Sequence, residues 1–560
     1  MAKVVKKVKK LGGLGRSSGG ASSRETSDLR PYLVEKIPPC INTCPNQNQI
    51  RECLMIVHKA EAYGKTQEQA FEEAWHRWTE TSPFPSVCGR VCPHPCETEC
   101  NRAKLEGAIA INAFERALGD FGLRKGLKPK KLTEEKRPEK IAIIGSGPAG
   151  MTAAYQLARR GYPVTVFEAF PKSGGMLRYG IPDYRLPQNI LDAEIQRILD
   201  MGVELKLNTI IGKDIPYADL KKDYKAIFVG LGAHTGYSLK IDGEDAANVY
   251  TGTDFLHRIN VGDMIDVGKK VVVVGGGDTA IDAARVSRRL GAEVTILYRR
   301  TRNEMPAIAE EIEGALAEGV TIEYLAAPIA ITRSGDRATS ITCQRMQLGE
   351  PDSSGRRRPV PIDGDTYELE CTALIAAISQ QPDFAGFEDL IEGRDWIKID
   401  EHMKTKVDAV FAGGDNINLD IAVTAIFHGR RAAEEIHAML TGEVPYKPEE
   451  RKLIKAENMM LAYYEQRPRT ATKELAPDER LKSLTAEIAS TLTLDEATAE
   501  SLRCMSCGKC FDCGTCWSFC QDSAIVKPLI KGQPYKVKME YCIGCKKCAE
   551  NCPCGYIEMH

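Results

Sequence analysis

The sequence predicts an α/β protein in which two nested Rossmann-like nucleotide-binding domains lie between two cysteine-rich regions. Residues 139 to about 440 alternate short Val/Ile runs with Ala-rich stretches, which is typical of parallel strands joined by helices. Two glycine-rich fingerprints begin within this region, at Gly145 and Gly275. The flanks hold all but two of the 20 cysteines.

Length and composition set the broad class. A chain of 560 residues is too long for one hydrophobic core. Its net charge of −2 argues against nucleic acid as the main partner. No apolar run reaches the roughly 18 residues of a membrane span, and the N-terminus lacks the apolar stretch of a secretory signal. We therefore expect a cytoplasmic protein without a membrane span.

We expect six regions along the chain. The first ten residues carry five lysines and run into a Gly/Ser-rich stretch, which predicts a flexible basic tail, either solvated or docked on an acidic partner. The expected regions are the tail at 1–30, a helical N-terminal domain at 31–138, a first nucleotide domain at 139–258 and 375–440, a second at 259–374, a helical connector at 441–500 and a C-terminal domain at 501–560.

The first fingerprint is GSGPAG, which follows the apolar run 140–144 and precedes a helical stretch. Gly145 permits a tight turn, Gly147 lets the backbone approach a pyrophosphate, and Gly150 lets the helix pack on the strand. The next predicted strand ends with Glu168, whose carboxylate suits a ribose hydroxyl. These elements in this order predict a dinucleotide site.

The second fingerprint is GGGDTA, with Gly275, Gly277 and Ala280 at the three key positions. Its following strand ends in Arg299 and Arg300, where an NAD-selective site usually carries an acid. Arginine at this point can bind a 2′-phosphate, so the sequence favours NADPH over NADH. A solvated basic loop would look the same in sequence.

A third segment, VFAGGDNINLDIAVTAIFHGRR, completes the first nucleotide domain. A strand ends at Gly413, Gly414 and Asp415, and a helix begins near Ala422. Its N-terminal amides could hold a flavin's ribityl phosphate and pyrimidine edge. The second nucleotide domain is therefore inserted into the first.

The C-terminal cysteines form two C-x2-C-x2-C-x3-C runs. This doubled spacing is typical of a two-cluster, ferredoxin-type domain in which the fourth thiolate of each run crosses to the other [4Fe-4S] cluster. Cys504, Cys507 and Cys554 are surplus to it. Cys504 and Cys507 extend the three-residue spacing and leave another ligand register open, but only the frame that begins at Cys510 ends in the x3 spacing, so we interpret the three as structural. The predicted ligands are Cys510, Cys513, Cys516, Cys520, Cys542, Cys545, Cys548 and Cys552.

The seven N-terminal cysteines also indicate metal. Thiolates at this density in a reducing cytoplasm favour a metal site over disulfides. By contrast, Cys343 and Cys371 are too far apart for a C-x2-C redox motif, so disulfide reduction is not expected.

Over residues 31–440 the sequence resembles the small subunit of glutamate synthase and its relatives. The resemblance rests on CGRVCPHPCETECNR, GSGPAG, GGMLRYGIPDYRLP, GGGDTAIDAAR, YRRTRNEMPA and VFAGGD. It implies NAD(P)H contacts at Gly275, Gly276, Gly277, Asp278, Thr279, Arg299 and Arg300. It implies FAD contacts at Gly145, Ser146, Gly147, Pro148, Ala149, Gly150, Glu168, Gly175, Met176, Leu177, Arg178, Gly414, Asp415, Thr424 and Ala425.

The resemblance also implies two N-terminal [4Fe-4S] clusters. Cys44, Cys92 and Cys96 match three ligands of the cluster nearer the flavin, and Glu115 falls where the family places a fourth. Only Cys40 and Cys100 match the other cluster. Cys53 and Cys88 either complete that cluster or are small buried residues. In total, three or four [4Fe-4S] clusters are expected.

These parts predict an FAD- and iron–sulfur-dependent oxidoreductase that links NAD(P)H to a partner redox protein, in either direction. A hydride carries two electrons and each cluster accepts one, so a flavin belongs between them. Hydride transfer to FAD needs no catalytic side chain. The C-terminal segment resembles the DsrL flavoproteins, which implies dissimilatory sulfite reductase as the partner, docked near the ferredoxin-type domain. The alternatives are a subunit of a bifurcating transhydrogenase or of glutamate synthase, and a non-enzymatic iron–sulfur scaffold.

Overall fold

The structure is a computed structural model that describes residues 26–560 except 354, 394–395 and 445–449. The basic tail expected over residues 1–30 therefore lies outside the described residues apart from its last five. Within the described ranges, no helix combines the length and apolar character needed to cross a membrane.

The N-terminal region is helical, as expected. Its core buries Phe71, Trp75, Trp78 and Phe114, because the apolar faces of the longer helices turn inward. Prolines begin three of the shorter helices, where a missing N–H costs nothing. The α-helices are Pro39–Thr43, Ile50–His58, Gln67–Thr79, Pro85–Val91, Pro95–Thr98 and Ile111–Arg124, with 3₁₀ turns at Glu61–Tyr63 and Asn101–Lys104.

A parallel five-stranded sheet forms the first nucleotide unit. Its central strands are fully buried Val/Ile runs, as expected when helices cover both faces. The strand order is Val410–Ala412, Ala226–Val229, Ile141–Ile144, Val164–Phe167 and Glu204–Lys206. Its helices are Pro148–Arg159, Met176–Tyr179, Gln188–Leu199, Tyr217–Asp223 and Ala422–Thr441.

A second parallel five-stranded sheet is inserted into the first unit, as expected. Its strand order is Thr321–Tyr324, Glu293–Tyr298, Lys270–Val274, Ala373–Ala376 and Val249–Thr251. Its helices are Gly252–Val261, Asp278–Arg289 and Ala309–Ala317, with a 3₁₀ turn at Arg302–Glu304. The strand Val249–Thr251 lies before the boundary at residue 259 expected from the sequence, because it pairs with the strand Ala373–Ala376.

Two antiparallel sheets accompany the insertion. The chain enters and leaves it through a short ribbon that pairs Thr235–Gly236 with Gln380–Gln381. A three-stranded sheet of Ala326–Ser334, Arg337–Pro351 and Arg357–Glu370 lies between the last two strands of the second sheet in chain order.

A buried ionic network joins the two units. Arg185, from the GIPDYRLP segment, lies 2.7 Å from the carboxylate of Asp282 on the helix after the second fingerprint. The hydroxyl of Tyr184 donates to the same carboxylate at 3.1 Å. Both motif segments therefore also hold the two units together.

The connector is mostly irregular, which differs from the helical connector expected from its charged composition. Its α-helices are Pro477–Arg480 and Leu494–Ser501, and its 3₁₀ turns are Ala456–Asn458 and Leu461–Tyr463. Local propensity is overridden here by contacts with the N-terminal helices. For example, Glu487 pairs with Arg90 at 2.7 Å and with Arg116 at 2.8 Å.

The two ends of the described chain meet. Strand Pro31–Leu33 pairs antiparallel with strand Ile557–Met559. The rest of the C-terminal region consists of helices Thr515–Phe519 and Lys547–Glu550, a 3₁₀ turn at Met539–Tyr541, and the paired strands Ile525–Val526 and Lys536–Val537.

Candidate functional site

A cleft of about 870 Å³ opens at the carboxyl ends of the first sheet's strands. Its volume suits a large cofactor. Most of the residues for which FAD contact was predicted line it, namely Gly145, Ser146, Gly147, Pro148, Ala149, Glu168, Gly175, Met176, Leu177, Gly414, Asp415 and Ala425.

The first fingerprint has the backbone geometry that its glycines suggest. Gly145 has φ +93°, and a Cβ there would lie 2.2 Å from the carbonyl oxygen of Gly230. A Cβ on Gly147 would meet only Gly175, at 3.9 Å, so this position is open to the cleft. No described side chain caps helix Pro148–Arg159. Its first amides remain available to a pyrophosphate.

Glu168 is buried at the edge of the cleft and already accepts two amide hydrogen bonds. The backbone N–H groups of Ser146 and Phe170 donate to its carboxylate at 2.9 Å each, and the Ser146 hydroxyl also bonds to it. These bonds hold the carboxylate against the fingerprint loop, where it can accept from a ribose hydroxyl.

Asp415 and the start of helix Ala422–Thr441 form the opposite wall. Burial raises the pKa of the Asp415 carboxyl to about 6. Thr424 Oγ1 is buried and has no hydrogen-bond partner among the described residues. Asp415 lines the cleft, so its carboxyl can meet a polar cofactor edge.

Three residues predicted to contact FAD do not line this cleft. Gly150 packs the helix on the strand instead, since a Cβ there would lie 2.0 Å from the Gly145 carbonyl oxygen. Arg178 is buried, and its guanidinium binds Ser173, Gln188 and Asp192. Thr424 lies in the same helical turn as Ala422 and Ala425, which do line the cleft.

A second cleft of about 500 Å³ lies over the GGGDTA fingerprint. The predicted contacts Gly275, Gly276, Gly277, Thr279, Arg299 and Arg300 line it. Asp278 does not, because its carboxylate accepts from the backbone N–H of Ile308 at 3.0 Å. It fixes the loop before helix Ala309–Ala317.

The basic rim of the second cleft includes Arg356, which the sequence did not predict. Arg300 is buried, pairs with Asp352 at 2.8 Å and donates to the Arg357 carbonyl at 2.7 Å. Arg299 is exposed at the rim, and Arg356 also lines the cleft. Arg356 lies in the turn between two strands of the antiparallel sheet, and nothing in the sequence links that turn to the fingerprint.

Two further residues of the first cleft were not predicted. His234 and Phe170 line it, with ring centroids 5.3 Å apart. Burial lowers the pKa of His234 to about 4, which keeps its ring neutral. His234 directly precedes the ribbon between the two units, so its position depends on the tertiary arrangement.

The C-terminal thiols surround two separate cavities. Cys510, Cys513 and Cys516 share one with Cys552, while Cys542, Cys545 and Cys548 share the other with Cys520. The fourth cysteine of each run thus lies with the three cysteines of the other run. Cys554 lines the first cavity too, with its sulfur 3.9 Å from that of Cys552.

Cys44, Cys92, Cys96 and Glu115 come together among the N-terminal helices. Burial, together with the Glu115 carboxylate, raises the pKa of Cys44 to about 11. Cys96 is buried near the Cys44 and Cys92 sulfurs. Trp78 donates its indole N–H to Glu115 at 3.0 Å. The backbone amides of Asn46, Gln47 and Asn48 face the Cys44 sulfur.

Cys40 and Cys100 lie in a third cavity, and the thiols that join them are Cys504 and Cys507. Burial raises the pKa of Cys40, and the sulfurs of these three cysteines raise it further. Cys53 lies elsewhere in the helical core and donates to the Ala74 carbonyl at 3.4 Å. Cys88 packs against the first nucleotide unit, near Cys92 and Glu115. The sequence alone did not place Cys504 and Cys507 beside Cys40 and Cys100, although their C-x2-C spacing is visible in it.

Each thiol cavity is small, with a volume of about 20 Å³. Among the described residues, no three His, Cys, Asp or Glu side chains converge closely enough to hold a single metal ion. Zinc would require sulfurs about 2.3 Å from one centre. No disulfide joins any of the 20 cysteines, all of which lie in the described part of the chain. Four thiols around one cavity form the donor set that a [4Fe-4S] cluster takes.

Two family models match the chain. The model of the pyridine nucleotide-disulphide oxidoreductases matches residues 139–429, which include both clefts. The model described as dihydropyrimidine dehydrogenase domain II, 4Fe-4S cluster, matches residues 34–127, which include the N-terminal cysteines.

Three relatives match most of the chain. The NADPH-Fe(3+) oxidoreductase subunit beta of Geobacter sulfurreducens is 34% identical over 527 residues, covering 86% of this chain and 77% of the relative. The NADP(+)-dependent formate dehydrogenase subunit beta of Moorella thermoacetica is 35% identical over 545 residues, covering 89% and 74%. The glutamate synthase (NADPH) small chain of Escherichia coli is 34% identical over 428 residues, covering 71% and 88%.

Proposed function

Because the chain belongs to the glutamate synthase small-chain group of the pyridine nucleotide-disulphide oxidoreductases, we propose that FAD binds in the 870 Å³ cleft and NADPH in the 500 Å³ cleft. The chain is an FAD- and iron–sulfur-dependent NAD(P)H oxidoreductase. The observation that carries the proposal is that two fingerprint clefts and thiol-lined cavities occur in one chain.

The residues of both clefts fit these cofactors. When bound, FAD accepts a hydride as an electron pair and releases electrons singly, whereas each [4Fe-4S] cluster accepts one electron. Gly147 and Gly277 leave space for the pyrophosphates, since Cβ atoms there would meet only Gly175 at 3.9 Å and Pro306 at 4.0 Å. Glu168 and Asp415 provide carboxylates for FAD hydroxyls.

Arg299 and Arg356 support NADPH as the coenzyme. Guanidinium groups bind phosphate with two parallel hydrogen bonds, and both residues line the second cleft. Arg300 positions the turn that carries Arg356, because it binds Asp352 and the Arg357 carbonyl. The matched relatives are named for NADPH or NADP(+), in agreement with this assignment.

Three cluster sites belong to this proposal. We assign Cys44, Cys92, Cys96 and Glu115 to the cluster nearest the flavin cleft, and the two C-terminal cavities to the ferredoxin-type clusters. The N–H groups that face Cys44 and the indole of Trp78 would stabilise the ligated anionic forms.

Disulfide reduction is not part of the proposed activity, although the family name includes it. Cys343 and Cys371 are both buried in the core of the second unit. Neither lies in a C-x2-C pair. Both are interpreted as ordinary core residues.

A partner redox protein is proposed to dock at the Cys520, Cys542, Cys545 and Cys548 cavity. Phe519 and Tyr541 directly precede two of these cysteines and are exposed. Lys546 and Asp522 line the cavity, and the Lys538 ammonium lies 5.5 Å from the Tyr541 ring centre. An apolar centre with lysines around it suits a partner with an acidic docking face.

Dissimilatory sulfite reductase is the first candidate for this partner, because the C-terminal cysteine segment resembles the DsrL flavoproteins. A glutamate synthase or formate dehydrogenase partner is the second candidate, since matched relatives are named as subunits of those enzymes. A bifurcating transhydrogenase subunit would additionally couple NADH, NADPH and ferredoxin. A non-enzymatic scaffold does not agree with membership of an oxidoreductase family.

Anaerobic reduction tests the nucleotide assignment. We expect NADPH to bleach the flavin absorbance of the purified protein, and NADH to do so less efficiently. A Gly277→Glu variant should keep its FAD, because the new side chain enters the open second cleft without a steric clash. Its flavin should resist bleaching, because the glutamate takes the space of the coenzyme's pyrophosphate. The matched Gly147→Glu variant should lose FAD instead. If neither coenzyme bleaches the wild-type flavin, the proposal is wrong.

Charge reversal tests the docking site. A Lys538→Glu, Lys546→Glu variant should reduce the partner more slowly while its flavin is still reduced by NADPH at the wild-type rate. Lys128→Glu, on the exposed surface of the N-terminal region, is the matched control. Trials with sulfite reductase and with the glutamate synthase large subunit decide between the candidates.

A further inference from the structure

We propose that Cys40, Cys100, Cys504 and Cys507 bind an additional [4Fe-4S] cluster, held by two thiols from each end of the chain, that links the N-terminal cluster site to the C-terminal ones. The evidence that this cluster binds comes from the cavity alone. Its part in electron transfer rests on the proposed function.

The cavity resembles the two ferredoxin-type sites in size and in surroundings. Its volume is about 20 Å³, the same as at each of the two C-terminal sites. Each of the three cavities has thiols from two distant segments or runs. The remaining wall here is largely apolar, with Pro38, Pro39, Leu54, Ile109 and Ile111. A dry pocket with four sulfurs is the environment that such a cluster requires.

Hydrogen-bond donors already face the sulfurs. The backbone amides of Ile109 and Arg102 face Cys100, and that of Ser506 faces Cys504. Hydrogen bonds to ligated sulfur stabilise an anionic cluster and tune its potential. Thiols that merely filled a core would not need these donors.

A buried arginine provides compensating charge. Arg51 is 1% exposed and lines the cavity. It donates to the carbonyls of Lys36 at 2.8 Å and Cys507 at 2.9 Å, and it pairs with Glu35 at 2.6 Å and with Glu52 at 2.8 Å. A guanidinium so placed offsets part of the negative charge that four thiolates bring into the interior.

The segment that carries Cys504 and Cys507 is fixed against the N-terminal region. Arg503 is fully buried and donates to the carbonyls of Gly107 at 2.7 Å and Ala108 at 2.9 Å. The Lys36 amide donates to the Gly508 carbonyl at 2.9 Å. These hydrogen bonds to backbone carbonyls therefore hold the C-terminal pair of thiols next to the N-terminal pair.

The site is adjacent to both of its neighbours. Cys40 and Cys100 each lie four residues from a thiol of the flavin-side site, Cys44 and Cys96. Cys507 lies three residues from Cys510 of the next site. Chain geometry limits the Cα separations across these links to about 14 Å or less. An electron entering from one neighbour can leave to the other without bond formation or proton transfer.

Iron analysis tests the cluster. The wild-type chain, purified anaerobically, should contain about sixteen iron and sixteen sulfide per chain, which corresponds to four clusters. A Cys504→Ser, Cys507→Ser variant should lose about four of each, as should Cys40→Ser, Cys100→Ser. FAD content and bleaching by NADPH should stay at wild-type levels. Reduction of the C-terminal clusters by NADPH should slow at least tenfold.

The control is Cys53→Ser, which should keep all of its iron. Wild-type iron content of about twelve, or unchanged iron in the Cys504→Ser, Cys507→Ser variant, would overturn the proposal. The proposal would also be overturned if the wild-type chain contained one zinc ion and the Cys504→Ser, Cys507→Ser variant contained none. If the wild-type flavin is not bleached by NADPH, the proposed function fails while the iron count still decides whether the cluster exists.

Discussion

At the level of single side chains, Arg299 is expected to set the coenzyme preference. Replacing it with alanine removes a charge-assisted phosphate contact, a class of bond that contributes about 1.5–3 kcal/mol. Arg299→Ala should therefore raise the KM for NADPH about tenfold or more and leave that for NADH nearly unchanged. Steady-state flavin reduction with both coenzymes measures this.

The matched control for that prediction is Arg302→Ala. Arg302 lies in the next turn and pairs with Glu313 at 3.1 Å. Equal KM changes for NADPH in the two variants would show that general surface charge, rather than a specific contact, favours NADPH.

The position of Cys554 predicts that the neighbouring cluster site tolerates the loss of Cys552 as a ligand. Its sulfur lies 3.9 Å from that of Cys552 and lines the same cavity. A Cys552→Ser variant should keep most of its iron, because Cys554 can replace the lost ligand. The Cys552→Ser, Cys554→Ser double variant should lose about four iron per chain. Equal iron loss in the single and double variants would contradict this role.

At the level of elements, Glu194 couples a helix of the first nucleotide unit to the helix before Cys92. Its carboxylate accepts from the amides of Ser86 at 2.9 Å and Val87 at 3.0 Å, at the start of helix Pro85–Val91. Phe84, which precedes that helix, gives no side-chain cap. Glu194 is thus an N-cap from a distant part of the chain.

This cap predicts a pH dependence. Burial raises the pKa of Glu194 from its usual value near 4.5 to about 7, so the folded protein binds a proton that the unfolded chain releases. The resulting stability is fully present below pH 4.5 and is lost as pH rises through about 7, by at most about 3 kcal/mol.

Glu194→Gln removes this titration and keeps one amide acceptor. The thermal unfolding midpoint of the wild type should therefore fall relative to that of the variant as pH rises from about 5 to about 8. Other buried carboxyls, such as Asp415, titrate in both proteins, so their effect cancels in the difference between the two unfolding midpoints. A pH-independent difference would refute the assignment.

At the level of the whole molecule, the two chain ends support the outermost cluster site. Pro31 and Met559 pair across the terminal strands and both line the cavity of Cys520, Cys542 and Cys545. Deleting residues 557–560 should cost about four iron per chain while FAD content is retained. Deleting residues 1–25 is the control and should cost none. Full iron content in the first deletion would disprove this dependence.

The fold class could be predicted from the sequence because its signals are local. Glycines at fingerprint spacing, buried Val/Ile runs and helical stretches each determine a strand, turn or helix, and the order of these elements determines the nested topology. The connector could not be predicted in this way. Its short helices and irregular segments follow arginine and glutamate pairs with the N-terminal helices, which no local pattern reveals.

The sequence by itself determined the chemistry of this protein: two nucleotide fingerprints and two thiolate runs, each encoded within a few residues. Only the tertiary structure decided which groups act together. Cys504 and Cys507 join Cys40 and Cys100, and Arg356 reaches the second cleft. The physical reason is that sequence spacing restricts only neighbours along the chain, whereas convergence of distant segments depends on the packing of whole elements.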